Sequence, residues 1–255
     1  MAAEIASNAG VGKNRRSIFN PWEILCEEIP SMIDEIQSAR EDALATPASK
    51  KLRPNHRDFY VGAGVLAVSG GTGSSRSRQR EVDINTMPTK GGSRVCAEKR
   101  VVERVKKSSS GLDAGKWIVG IVIIGEAQPD KATGNDPDTL WPCGESCYPD
   151  IFASVDDVDN PLEPDTLVVT INTDMRKRQV QTVAEMNGHY ELMRDGHRPE
   201  EPLLVDRMYE SWHGTLDRFL SRYPDDLNPL ASPDNRAVAV EAARLAILNP
   251  QLYVV

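Results

Sequence analysis

Cysteine is scarce in this chain. Four in 255 residues are too few for the disulfide framework that holds small extracellular domains together. Long apolar runs are missing too, and none approaches the roughly 20 residues that a membrane-spanning helix needs. The opening stretch, MAAEIASNAGVGKNRRS, has no apolar core of the kind a secretory signal carries. An excess of positive charge is also lacking: 30 Lys and Arg stand against 38 Asp and Glu, a formal net charge of −8. A uniformly acidic protein binds phosphate backbones poorly unless it has a local basic groove, which counts against nucleic acid as a partner. No internal repeat recurs. The expectation from these absences is a cytoplasmic protein with no membrane association. In such a reducing compartment, clustered cysteines mean metal or catalysis more often than a disulfide.

What is present reads as a globular chain, 40% hydrophobic and 27% charged, long enough for one large domain plus an extension. Residues 1–20 are small, polar and basic, the pattern of a flexible N-terminal tail. From Pro21 the spacing turns helical: Trp22, Leu25 and Ile29 share a face, Pro30 interrupts, and Met32, Ile33, Ile36, Ala39 and Ala43 resume. FYVGAGVLAV (59–68) predicts a buried strand, and SGGTGSSRSRQR (69–80) a loop. EVDIN (81–85) then predicts a second strand in a hairpin with the first. CAEKRVVERVKK (96–107) predicts a helix with Val101, Val102 and Val105 inward. KWIVGIVIIG (116–125) is apolar almost throughout, as a central strand is. A polar loop, 126–141, leads to PCGESC, which opens a short helix, and TLVVTIN (166–172) predicts a fourth strand.

The stretch from Gln179 to Met186 fits either helix or strand. Leu204, Met208, Trp212, Leu216 and Phe219 form a helical stripe, and Ser232-Pro233 opens a last helix that runs to Leu248. Helices alternating with apolar strands imply a layered α/β sandwich. Three parts follow: the tail 1–20, an α/β domain over 21–195, and a helical C-terminal extension over 196–255.

Three of the four cysteines fall in VCAEKR (95–100) and WPCGESC (141–147), and each stretch also holds a Glu. Cys96 begins one predicted helix; Cys143 and Cys147 begin another. Helix N-termini carry partial positive charge and favour the thiolate, the form that binds zinc. Cys143 and Cys147 are four apart, so one helical turn can bring both sulfurs to the same side. Three protein ligands with an open fourth position mark a catalytic zinc. Water in that position is acidified from a pKa of about 15.7 to about 7. Glu98, two residues from a ligand, is within reach of such a water and suited to carry its proton.

CAE followed by PCGESC resembles the cytidine deaminase family, in particular its free-nucleoside branch. FYVGAGVLAV is similar to that family's first strand, Asn85 stands in the register of its ribose-binding Asn, and QTVAEM (181–186) is similar to its closing Thr-Val segment. The resemblance covers roughly residues 31–190. It implies a three-layer α-β-α sandwich with a mixed sheet of about five strands. It also implies zinc held by Cys96, Cys143 and Cys147, Glu98 as the catalytic proton carrier, and substrate contacts from Phe59, Asn85 and Ala97. The activity it implies is hydrolysis of cytidine, deoxycytidine or a cytosine-nucleoside analogue to the uridine form, with a dimer or tetramer as the working unit.

Three departures stand out. The cysteine pair is separated by three residues where the nucleoside branch has two. Met87 replaces the family's ribose-binding Glu, which puts ordinary cytidine in doubt. The segment between Glu98 and Pro142 is long.

Other readings of the same residues remain open. The cysteines fit buried core thiols or a structural zinc, and Asn85 and Phe59 fit a strand end and core packing. Cys26 reads as an apolar-face residue. None of His56, His189, His197 and His213 is assigned a ligand role. Arg76, Arg78 and Arg80, placed in a loop, join Lys99, Arg100, Arg104, Lys106 and Lys107 as a candidate phosphate patch, although aromatic residues of the kind that stack single-stranded bases are not interleaved. The alternatives to a nucleoside deaminase are therefore a deaminase acting on single-stranded nucleic acid and a catalytically inactive zinc-containing scaffold.

Overall fold

The computed structural model describes residues 21–47, 60–69, 78–86, 96–108, 116–126, 142, 147–154, 160–173, 175, 178–194, 214–220 and 233–248. Phe59, Met87, Trp141 and Cys143 lie outside the described residues. The chain divides into two compact units, Met32–Glu200 and a second that joins Met1–Ser31 to Glu201–Val255.

In the second unit Pro21–Glu23 is helical and leads into a π-helical turn, Ile24–Glu28. There the Ile29 N–H donates to the Ile24 carbonyl. Pro30 follows in the first turn of helix α1, Ile29–Ala45. A proline ring crowds the carbonyl four residues before it in a regular α-helix. The wider π turn relieves that conflict, so helical structure carries past Pro30 instead of breaking there. Residues 214–220 are helical, with Leu216, Phe219 and Leu220 buried. Pro233–Leu248 is helix α4 and buries Ala239, Val240, Ala243, Ala246 and Ile247.

The larger unit is built on a mixed five-stranded sheet of order β2-β1-β3-β4-β5. The strands are β1 Gly62–Ser69, β2 Arg78–Ile84, β3 Lys116–Gly125, β4 Leu162–Asn172 and β5 Arg178–Thr182. β1 runs antiparallel to β2 and to β3, β3 and β4 are parallel, and β4 and β5 are antiparallel. β1 is buried along its whole length, which is why FYVGAGVLAV shows no polar alternation.

Helices cover both faces of this sheet. On one, Gly62 and Gly64 let α1 approach closely. A Cβ at Gly62 would sit 2.4 Å from Ile36 Cγ2, and one at Gly64 would sit 2.8 Å from Met32 Cγ. On the other face Ala63, Val65 and Ala67 of β1 join Ile121, Ile123 and Val168 in one core cluster. Helix α2, Ala97–Ser108, adds Val101, Val102 and Val105 to it, and helix α3, Val183–Arg194, adds Val183 and Met186. A β-bulge keeps Ile118 in this cluster: the β1–β3 register skips Val119, which turns Ile118 to the same side as Ile121 and Ile123. Thr166 closes the matching irregularity in β4. Its hydroxyl donates to the Ile118 carbonyl at 2.7 Å and accepts the Glu163 N–H at 2.9 Å.

The stretch 179–186 is both of its two candidate structures in turn, β5 and then the start of α3. The switch point is a capping box. The Thr182 hydroxyl accepts the Glu185 N–H at 3.2 Å, and the Glu185 carboxylate accepts the Thr182 N–H at 2.7 Å.

Candidate metal centre

Cys96 immediately precedes α2, and its carbonyl accepts the Arg100 N–H at 3.1 Å, which places it at the N-cap. The apolar face of α2 anchors this helix start against the sheet, so Cys96, Ala97 and Glu98 are all buried. Cys147 immediately precedes a second π-helical turn, Tyr148–Phe152, which contains Pro149. In that turn the Ala153 N–H donates to the Tyr148 carbonyl at 2.9 Å. Two asparagine amides brace it. Asn160 Nδ2 donates to the Ile151 carbonyl at 2.7 Å, and Asn187 Nδ2 donates to the Phe152 carbonyl at 3.0 Å. Ile151 and Phe152 themselves are in the core. Cys147 is thus set on a turn held by packing and by polar ties.

These two segments bring Cys96 Sγ, a Glu98 carboxylate oxygen and Cys147 Sγ within 4.8 Å of one another. All three residues are buried, with Cys147 fully so. That group could hold a metal ion: zinc bonds of about 2.3 Å to sulfur and 2.0–2.2 Å to carboxylate oxygen set ligand atoms at such separations. Soft thiolates do not suit magnesium or calcium, which take oxygen ligands. The structure therefore unites Cys96, Glu98 and Cys147, with Ala97 fully buried between the first two.

A link that the sequence reading did not find ties the segments together. Lys99 Nζ lies 2.6 Å from Asp150 Oδ2, joining the start of α2 to the π turn after Cys147. The hydrogen bond to Asp150 is the main reason the Lys99 ammonium is held above its ordinary pKa, and the nearby Cys147 adds in the same direction. No pattern within either segment shows this pair, because its partners come from different elements.

Asn85, which follows β2, is 2% exposed. Its Oδ1 accepts the Val61 N–H at 2.7 Å, and its own N–H donates to the Val61 carbonyl at 2.9 Å. The neighbouring residues are held by α2: Arg100 Nη1 donates to the Ile84 carbonyl at 3.2 Å and to Thr86 Oγ1 at 3.3 Å.

The basic residues are distributed differently from the sequence expectation. Arg78 and Arg80 lie in β2 instead of a loop. Arg80 faces Glu35 at 3.5 Å, Arg100 faces Asp83 at 3.7 Å, and Arg104 faces Glu81 at 3.6 Å as well as Asp83. With Lys99 on Asp150, four cations of the supposed phosphate patch are matched by carboxylates.

No protein-family model matches the chain, and no curated protein matches it.

Proposed function

We propose that the chain is a zinc-dependent hydrolase that converts cytidine, deoxycytidine or a cytosine-nucleoside analogue to the uridine form and releases ammonia. The observation that carries this reading is the convergence of Cys96, Glu98 and Cys147, from two separate segments, within 4.8 Å in a buried site. In this reading the five-stranded sheet with helices on both faces is the three-layer sandwich of the cytidine deaminase family. In this reading Cys96, Cys147 and Cys143 are the zinc ligands, and Glu98 stands beside them as the proton carrier.

Bound zinc supplies an acidified water and polarises the site. Glu98 would take one proton from a water held there and deliver it to ring N3, and would then pass the proton of the new C4 hydroxyl to the departing amine. Water oxygen adds at C4, the C4–N bond breaks, and one ammonia leaves for each water consumed. Burial of Glu98 excludes bulk water that would compete for these protons. Phe59, Asn85 and Ala97 are the substrate contacts of this reading, and a dimer or tetramer is its assembly.

Carboxylates on Lys99, Arg80, Arg100 and Arg104 support a small nucleoside over a polynucleotide, because a phosphate would have to displace them. The test is ammonia release from a panel of cytosine nucleosides, analogues and single-stranded oligonucleotides. The expected result is release from at least one nucleoside and from no oligonucleotide. Release from oligonucleotides alone, with affinity that falls steeply as salt rises, would replace this reading with the polynucleotide one. Zinc-loaded protein that is inert on the whole panel would leave the scaffold.

A further inference from the structure

The geometry points to Arg100 as a positioning residue that sets the distance between Glu98 and the segment holding the sugar side of the substrate; this rests on the deaminase reading above. Arg100 stands two residues beyond Glu98 in α2, so it moves with the start of that helix. Its guanidinium reaches across to residues 84–86. Nη1 donates to the Ile84 carbonyl at 3.2 Å and to Thr86 Oγ1 at 3.3 Å, and Nη2 donates to the Thr86 carbonyl. Asp83 Oδ1, 3.7 Å away, balances the charge.

Asn85 sits between those two carbonyls, at the centre of a tight turn in which the Thr86 N–H donates to the Ile84 carbonyl at 2.7 Å. The two hydrogen bonds between Asn85 and Val61 fix it from the side of β1. Arg100 fixes its neighbours from the side of α2. A planar guanidinium can span two carbonyls and a hydroxyl at once, whereas an ammonium offers a single point. Cys96 and Glu98 at one end and Asn85 at the other are thereby held on one brace.

Arg104, one helical turn further from Cys96, makes a comparable tie to β2 through the Val82 carbonyl and Asp83. It grips the strand but not the turn. The two arginines therefore separate anchoring of the strand from positioning of residue 85.

The test uses the full-length zinc-loaded protein and the nucleoside that the wild type turns over. Arg100→Gln should raise KM about tenfold while kcat stays within about threefold and zinc per chain is unchanged. Arg100→Lys should fall between the two, and Arg104→Gln should leave KM at the wild-type value. Without substrate, hydrogen exchange at the Val61 and Asn85 amides should quicken in Arg100→Gln and not in Arg104→Gln. Unchanged KM and unchanged exchange in Arg100→Gln, or equal effects from Arg104→Gln, would overturn the assignment. A wild type that deaminates no nucleoside sinks the deaminase reading instead. In that event faster exchange in Arg100→Gln alone would retain the brace and sever it from any sugar-binding role, and unchanged exchange would remove both.

Discussion

Asn85 and Val61 are joined by a reciprocal pair of hydrogen bonds, side-chain oxygen to N–H at 2.7 Å and N–H to carbonyl at 2.9 Å. Val61 stands just before β1 and Asn85 just after β2, so the pair closes the end of that antiparallel ladder where the register runs Gly62 to Ile84. Asn85 thus has a structural duty whether or not it also touches substrate.

Asn85→Ala leaves the buried Val61 N–H without its acceptor. The expected loss of stability is about 1–3 kcal/mol, measured by denaturant unfolding. It should be the same with zinc bound and with zinc removed, since neither Asn85 nor Val61 belongs to the Cys96, Glu98 and Cys147 group. A loss seen only in the zinc-loaded protein would tie Asn85 to the metal centre instead.

The close approach of α1 to β1 predicts a graded response to adding one methyl group. At Gly62 a Cβ would meet Ile36 Cγ2 at 2.4 Å and the Arg40 stem at 3.0 Å. Ile36 is β-branched and fully buried, so it has little room to yield. At Gly64 a Cβ would meet Met32 Cγ at 2.8 Å and Ile36 Cδ1 at 2.9 Å, the first on a side chain with more rotamers and the second at a side chain's tip, away from the branch. Both Gly→Ala changes should destabilise by about 1–3 kcal/mol, with Gly62→Ala the worse. Equal midpoints for wild type and Gly62→Ala would contradict the packing described.

Thiol reactivity should separate Cys26 from the site cysteines. Burial, aided by the charge of Glu27, pushes the Cys26 thiol up to about 12. At pH 8 Cys26 is then almost wholly the unreactive thiol. Because its thiolate form grows only as pH rises towards that value, native Cys26 should resist alkylation across the neutral range. Cys26→Ser should leave the count of fast-reacting native thiols unchanged. A drop by one would show that Cys26 is open and ionised.

Metal removal should cost stability through mass action. Cys147→Ser, or chelation of the wild type, is expected to lower the thermal midpoint by roughly 5–10 °C, and added zinc should restore only the wild type. Cys26→Ser should keep both its zinc and its response to chelator. A midpoint that ignores chelator would mean that Cys96 and Cys147 are core thiols.

Much of the sheet was legible because its strands are buried on both faces. Residues 60–68 and 117–125 are apolar runs for that reason, 167–171 is interrupted only by Thr170, and the Val101, Val102 and Val105 spacing shows the inward face of α2 directly. The two cysteine segments also stood out, since thiols and Glu near helix starts leave a chemical signature. Three things were hidden. The π turns before Pro30 and around Pro149 leave no periodic trace. Arg78 and Arg80 read as loop because the edge strand β2 is only partly buried and carries polar residues on it. Arg100 and Arg104 read as part of a candidate phosphate patch, because a cation on a helix looks the same whether it meets a phosphate or the carbonyls of a strand. The switch at Thr182 was recoverable: Thr-Val-Ala-Glu is a capping-box sequence.

Zinc-dependent deamination is checked by a paired measurement on wild type and Glu98→Gln: zinc per chain, and ammonia released from cytosine nucleosides. A zinc-dependent deaminase should hold about one zinc per chain in both proteins, with ammonia release reduced about 100-fold or more by the substitution. Wild-type protein that binds no zinc, or Glu98→Gln protein that releases ammonia at the full rate, would contradict this reading.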